Sequence, residues 1–273
     1  MQRRRLAAEL HRLRTNARRT LEEVAEHLEC SPAKISRIEN NQVAVRIQDA
    51  RDLLDLYGVE GPHREELLQV VREARKKGWW SRYSDLMEEG TETILSLEDE
   101  AASILIYENS LVNALLQTPD YARACLLSRT DAKLDVIQRQ VELRMTRQRI
   151  LTDPDGPALT VVLDEAALRR SVGDPTVMRE QFRRLLTDAD RQNTTVLVLP
   201  FSAGPHQAMG FPFCIFGFNG EDPRIVYVEM LERGHLIESA KDVGRYTAAF
   251  EQVQARALNA TESVHFIEKL MDS

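Results

Sequence analysis

The chain has 273 residues, 43% of them hydrophobic, and a formal net charge of −7 from 36 Lys and Arg against 43 Asp and Glu. That length leaves room for two domains with a sizeable core, and no apolar run approaches the length of a membrane span. Its three cysteines, Cys30, Cys125 and Cys214, are widely spaced and odd in number, suggest no disulfide framework and show no metal-ligand pattern.

Charge is unevenly divided. Residues 1–82 carry 17 Lys and Arg against 13 Asp and Glu, whereas residues 83–273 carry 19 against 30. A modestly basic head on an acidic body argues against a general polyanion-binding surface and for a chain that meets phosphate at one end. The opening run MQRRRLAAEL leads into an amphipathic helix rather than an apolar leader, so a cytoplasmic protein with no membrane association is expected.

A first helix is predicted over 3–17, with Leu6, Leu10, Leu13 and Ala17 on one face. Thr20 followed by Glu23 forms a capping box ahead of Val24, Ala25 and Leu28. Ser31-Pro32 restarts the chain with an N-cap and a proline at the first helical position. Ile35 and Ile38 bury one face of that second short helix and leave Ala33, Lys34, Ser36, Arg37 and Asn41 outward. Two short helices joined in this way make a helix-turn-helix. Further helices over 46–57 and 62–77 complete an all-α head of five helices, residues 1–77. Arg3, Arg4, Arg5, Arg18 and Arg19 lie before and between the first helices, where phosphate contacts are expected. Residues 78–96, with the adjacent Trp79 and Trp80, read as a junction.

The body, residues 97–273, opens with a predicted helix over 97–116. Thr118-Pro119 caps a helix to Leu127, and a long helix follows over 133–151. Apolar runs at 159–163, 194–199, 213–218 and 225–229 read as buried strands, the last two separated by a turn at 219–223. Helices are expected over 165–171, 175–190, 241–258 and 261–271. The whole is multidomain: an all-α five-helix head followed by a helix-rich α+β domain with a sheet of about four strands.

Ser31, Ile35, Ser36, Ile38, Glu39 and Asn40 make the head resemble the Xre/Cro-type helix-turn-helix. That resemblance implies binding to double-stranded DNA at a palindromic operator, by a homodimer. It places Pro32, Ala33, Ser36 and Arg37 against bases and Lys34 and Asn41 near phosphates. Thr20 and Ser31 cap the two helices of the motif, and Arg18 and Arg19 approach the backbone. Arg37 is the candidate for direct readout, because a guanidinium can bond both acceptors of guanine. Three positions depart from the pattern. Glu29 stands where the inter-helix turn usually has a positive-φ glycine, Asn41 replaces the glycine after the recognition helix, and Leu21 stands where many relatives have glutamine.

Leu115 to Ala124 (LLQTPDYARA), Arg139-Gln140, Leu163 to Asp174 (LDEAALRRSVGD), Leu199 to His206 (LPFSAGPH) and Val226 to Glu229 (VYVE) make the body resemble WhiJ-like actinobacterial regulators. Asn113-Ala114 departs from the proline-glycine usual in them. The resemblance implies a DNA-binding regulator whose C-terminal domain takes a small-molecule effector or a small BldB-like partner protein. The alternative is an antitoxin-type interaction protein that sequesters a small partner and autoregulates its own operon.

No phosphate-cradling glycine loop, zincin motif or nucleophile elbow occurs, so neither enzyme activity nor a cofactor or metal is expected. The candidates for ligand binding in the body are His206, after a buried strand, and Glu229, at the end of another, since strand ends are where ligands bind in α/β layers. Arg139 and Arg144 are candidates for an anion. The helix that carries them with Arg147 and Arg149 otherwise reads as a charged solvent face.

Overall fold

The computed structural model describes residues 2–39, 45–74, 78–87, 90–129, 132–220, 222–230 and 234–272. The chain divides into two compact units, Met1–Ser81 and Arg82–Ser273.

The first unit is helical: α1 Gln2–Asn16, α2 Leu21–His27, α3 Pro32–Glu39, α4 Ile47–Leu56 and α5 Gly61–Ala74. The capping box forms as its residues dictate. The Glu23 amide donates to Thr20 Oγ1 at 3.2 Å, and the Thr20 amide donates to Glu23 Oε2 at 2.9 Å. Ala25 is 1% exposed, and its carbonyl accepts the Cys30 amide at 2.9 Å, which closes the turn. Glu29 adopts φ +49°, the left-handed conformation that glycine supplies without strain. The Lys34 amide lies 3.3 Å from Ser31 Oγ at the start of α3. Ile35 and Ile38 pack with Val24, Leu10, Leu53 and Leu54 in one core. Trp79 and Trp80 open a 3-10 segment, Trp79–Leu86, and meet edge to face at 5.7 Å.

The second unit begins its regular structure with α6, Thr91–Glu100, which starts inside the segment assigned to the junction. The strands are β1 Ser103–Glu108, β2 Ala158–Asp164, β3 Thr194–Leu199, β4 Phe213–Gly217, β5 Ile225–Glu229 and β6 Gly234–Ile237. Between β1 and β2 come α7 Pro119–Leu127 and α8 Leu134–Arg147, and between β2 and β3 come α9 Glu165–Arg169 and α10 Pro175–Ala189. α11 Ala240–Arg256 and α12 Ala260–Met271 follow β6. Among the described residues the strands form one mixed sheet in the order β3-β2-β1-β4-β5-β6. β1, β2 and β3 are parallel, and β4, β5 and β6 continue antiparallel from β1.

Two expectations are corrected here. The sheet has six strands rather than about four, and the helix predicted over 97–116 ends at Glu100 and gives way to β1. β1 lies between β2 and β4 and is covered on both faces, so Ile104, Ile106 and Tyr107 are all buried. No Gly or Pro separates its apolar residues from those of α6, and the combined run mimics one helical stripe. β6 is a four-residue edge strand with too little alternation to read.

Tyr107, Ile215 and Val226 face α11 and its Phe250 and Val253. Because strand side chains alternate, Glu108, Cys214, Tyr227 and Glu229 occupy the opposite face. The outer strand β3 is covered by α12: the Val198 amide donates to Ser263 Oγ at 3.0 Å, and its carbonyl accepts from the Leu258 amide at 2.8 Å. Such satisfaction blunts an edge that would otherwise pair with another chain.

Candidate functional site

In the first unit, α3 presents Pro32, Ala33 and Arg37 fully exposed, with Lys34 and Ser36 half-buried. Arg37 Nε donates to the Ala33 carbonyl at 3.2 Å, which leans the side chain along the helix. Lys34 Nζ lies 2.7 Å from Asp49 Oδ2 of α4, so its ammonium already has an acidic partner. Arg18 and Arg19 are exposed ahead of α2 beside Thr20; Arg18 takes φ +54°, and Arg19 comes within 3.9 Å of Glu23. Asn41 lies outside the described residues, as does Asn40.

What seats α3 is a carboxylate at its last residue. Glu39 accepts from Arg14 of α1 twice, Nε to Oε1 at 2.7 Å and Nη2 to Oε2 at 2.9 Å, and lies 2.8 Å from His11 Nδ1. Burial works to raise the Glu39 carboxyl, but the bonds from Arg14 and His11 outweigh it and hold the group below its ordinary range. Arg14 also donates to the Arg19 carbonyl at 2.8 Å. One guanidinium thus ties together α1, the backbone beside Arg18 and the end of α3, fixing the two stretches expected to meet phosphates and bases.

In the second unit, a cavity of about 650 Å3 opens between the α6, α7 and α8 helices and the sheet face that bears Glu108, Cys214, Tyr227 and Glu229. Two ion pairs frame it. Arg147 reaches Glu98 through both carboxylate oxygens at 2.5 Å, and Arg129 lies 3.3 Å from Glu229. Two further charges have only amide partners. Arg144 Nη1 donates to Gln117 Oε1 at 2.6 Å, and Glu108 Oε1 accepts from Asn113 Nδ2 at 2.7 Å. Gln117 is itself fixed, donating to the Val112 carbonyl at 2.7 Å.

Burial lowers Arg144 to about 10, aided by Arg147, which leaves it charged at neutral pH. Burial raises Glu108 to about 7; the Asn113 bond opposes this and the nearby Glu229 charge adds to it. Burial also raises both cavity thiols, Cys125 and Cys214. The cavity therefore offers fixed charges and amides rather than an activated nucleophile.

The candidates named from the sequence are dispersed. Arg144 and Glu229 line this cavity, but Arg139 turns outward to Asp85, with Nη1 2.6 Å from Oδ2. His206 is not near Glu229: the two lie on opposite faces of the sheet. His206 Nε2 sits 3.4 Å from Tyr107 Oη and 3.9 Å from Asp164 Oδ2, and Glu229 is taken by Arg129. Burial lowers His206, with Asp164 opposing and Arg256 reinforcing. The helix read as a solvent face instead directs Arg144 and Arg147 inward. Glu108, Asn113 and Gln117 escaped sequence reading because β1 and the loop after it were taken for helix, and Glu98 because its partner Arg147 lies 49 residues away. The Asn113 departure was the available signal. Its amide caps the following turn, accepting the Leu115 amide at 3.0 Å, while donating to Glu108, a bond proline could not make.

Residues 5–67 match the family model described as a helix-turn-helix domain, and residues 91–269 match that of a domain of unknown function, DUF5753. No curated protein and no solved structure matches the chain. The second match spans most of the sequence, and the chain belongs to the DUF5753 family, with a helix-turn-helix domain ahead of it.

Proposed function

We propose that the protein is a sequence-specific, homodimeric transcriptional regulator of the Xre type whose second unit receives a signal and has no catalytic role. The observation that carries the reading is α3: a capped, firmly seated helix in a helix-turn-helix domain, with Arg37 exposed and Lys34 and Ser36 beside it. The resemblance of the body to WhiJ-like regulators supports it. So does a charged cavity in the same chain, since a ligand that favours one conformation shifts the availability of the heads.

Genome-wide binding of the full-length protein, paired with Arg37→Ala, tests this. Sharp palindromic peaks are expected, with the variant losing roughly 1–3 kcal/mol at the cognate site and relaxing its sequence preference. Uniform weakening over all sequences would reassign Arg37 to a phosphate. Absence of specific peaks from folded protein would overturn the reading, and sedimentation showing a monomer on the operator would overturn the dimer.

A protein signal, as in the antitoxin-type reading, is favoured by one observation. Phe201, Met209 and Phe211 stand 58%, 60% and 62% exposed on the segment between β3 and β4. Exposed apolar side chains on one short segment suit a protein contact. Stoichiometric retention of a small partner, lost on Phe201→Ser with Phe211→Ser, would favour that reading over a small-molecule signal.

A further inference from the structure

We propose that the cavity between the sheet and α6, α7 and α8 binds a small amino carboxylate, a free amino acid or short peptide, with its carboxylate on Arg144 and its ammonium on Glu108. The proposal rests on reading the second unit as the part that receives a signal.

The argument is one of charge. Of the five charged side chains on the cavity wall, three are already engaged, Arg147 with Glu98 from outside the wall and Arg129 with Glu229. Arg144 and Glu108 remain, opposite in sign, with no hydrogen bond or ion pair between them; each is hydrogen-bonded only by a neutral amide, and Glu229 and Arg147 act on them only at longer range. A charge withdrawn from water and given no counter-charge is costly. A ligand that carries both missing charges relieves both sites at once.

The chemistry of each end is specific. Arg144 uses one N–H group on Gln117, and no other acceptor meets its guanidinium among the described residues. The free edge suits a planar carboxylate bonded through two oxygens. A phosphate dianion fits worse, because Glu108 and Glu229 line the same space and Arg129 and Arg147 are already engaged. At the other end, Glu108 Oε1 holds the Asn113 amide and its second oxygen has no partner among the described residues. An ammonium is the donor that gains most there, with Glu229 near enough to add attraction.

Gln140 Oε1 also lines the cavity and is buried without a donor. Gln140 lies one helical turn before Arg144 on α8, so both reach the same ligand. The orphaned acceptor suits an N–H of the ligand. About 650 Å3 is within the range of sites for small organic molecules and exceeds what a single amino acid fills. Short peptides are therefore included.

Titration calorimetry on the full-length protein tests this with each free L-amino acid in turn, and with glycine, diglycine and triglycine as a ruler of charge separation. Binding of at least one is expected, weakened at least about tenfold by N-acetylation or by carboxyl amidation. Glu108→Gln and Arg144→Gln should each lose it. Should Arg144→Gln fail to fold, Glu108→Gln and the blocked ligands decide the matter. No binding by any probe, equal binding by blocked forms, or binding retained in Glu108→Gln would overturn the proposal.

Operator affinity measured on the same samples separates the two readings. Binding of an amino carboxylate with unchanged operator affinity would uphold the site and remove its signalling role. Specific operator binding by protein that binds no probe would overturn the site and leave the regulator reading standing.

Discussion

Glu108→Gln offers the most direct test of the electrostatics of the second unit. The carboxyl has an ordinary value of 4.5 and is raised to about 7 in the fold, chiefly by burial, with Glu229 adding to the effect and Asn113 and Arg147 opposing it. The folded chain thus holds a proton that the unfolded chain has released between those two values, and stability falls as pH rises through that window. At about 1.4 kcal/mol per pH unit, the ionised group costs the fold about 3 kcal/mol once pH exceeds 7. Glutamine keeps the acceptor for Asn113 and removes the charge. The variant should match the parent near pH 4.5 and exceed it by up to about 3 kcal/mol near pH 8, or roughly 6–12 °C in the melting of a unit this size. Glu229, Arg147, Cys214 and Tyr227 face the same space in both proteins, so the difference between them isolates Glu108. Scanning calorimetry is the suitable assay, because two units need not melt together. A difference that does not change between the two pH values, or a variant less stable at pH 8, would refute the reasoning.

Three further outcomes concern the first unit. Thr20→Ala removes the Thr20 Oγ1 acceptor of the Glu23 amide, one half of the capping box of α2, and should destabilise that unit by about 1 kcal/mol in calorimetry. Glu39→Gln leaves the Arg14 guanidinium, 13% exposed, without its carboxylate; a loss of about 2–3 kcal/mol is expected, with weaker operator binding in a titration because α3 loses its seat. Glu29→Gly relieves a non-glycine residue at φ +49° and should raise the unit's melting point, by up to about 1 kcal/mol in stability.

The head was legible because its signals are local. Capping pairs, a proline at a first helical turn and apolar spacing each act within a few residues, and Thr20, Glu23, Ser31, Ile35 and Ile38 all fall where that chemistry places them. Glu29 illustrates the same point from the other side: the backbone takes the left-handed conformation the turn demands even without glycine. The role of Glu39 was not legible, since its partners His11 and Arg14 lie more than twenty residues away in the chain. In the body, Thr118 and Asp174 announce α7 and α10 by capping, whereas β1 hides among apolar residues that serve both faces of a sheet. Losing β1 also lost Glu108, because only a strand puts that carboxylate on the face opposite Tyr107.

The cavity stands out when the buried charges of the second unit are compared. Glu98, Glu165 and Asp188 are the buried acids among the described residues, and each has an arginine. Arg147 serves Glu98, Arg169 serves Glu165, and Arg184 and Arg191 together serve Asp188. Glu165 also accepts the Phe201 amide at 2.8 Å, so both its oxygens are used. These groups do structural work: Glu98 joins α6 to α8, Glu165 ties α9 to the segment after β3, Asp188 closes the end of α10, and their charges are neutralised where they stand. Arg144 and Glu108 follow a different rule. Each is anchored by a neutral amide that fixes its direction without cancelling its charge, and each anchor is itself fixed, Gln117 by the Val112 carbonyl and Asn113 by the Leu115 amide. A fold that needed only stability would be better served by apolar residues at both positions. Holding two opposite charges in place, apart and unpaired on the wall of one cavity, makes sense for a site whose counter-charges arrive with a ligand.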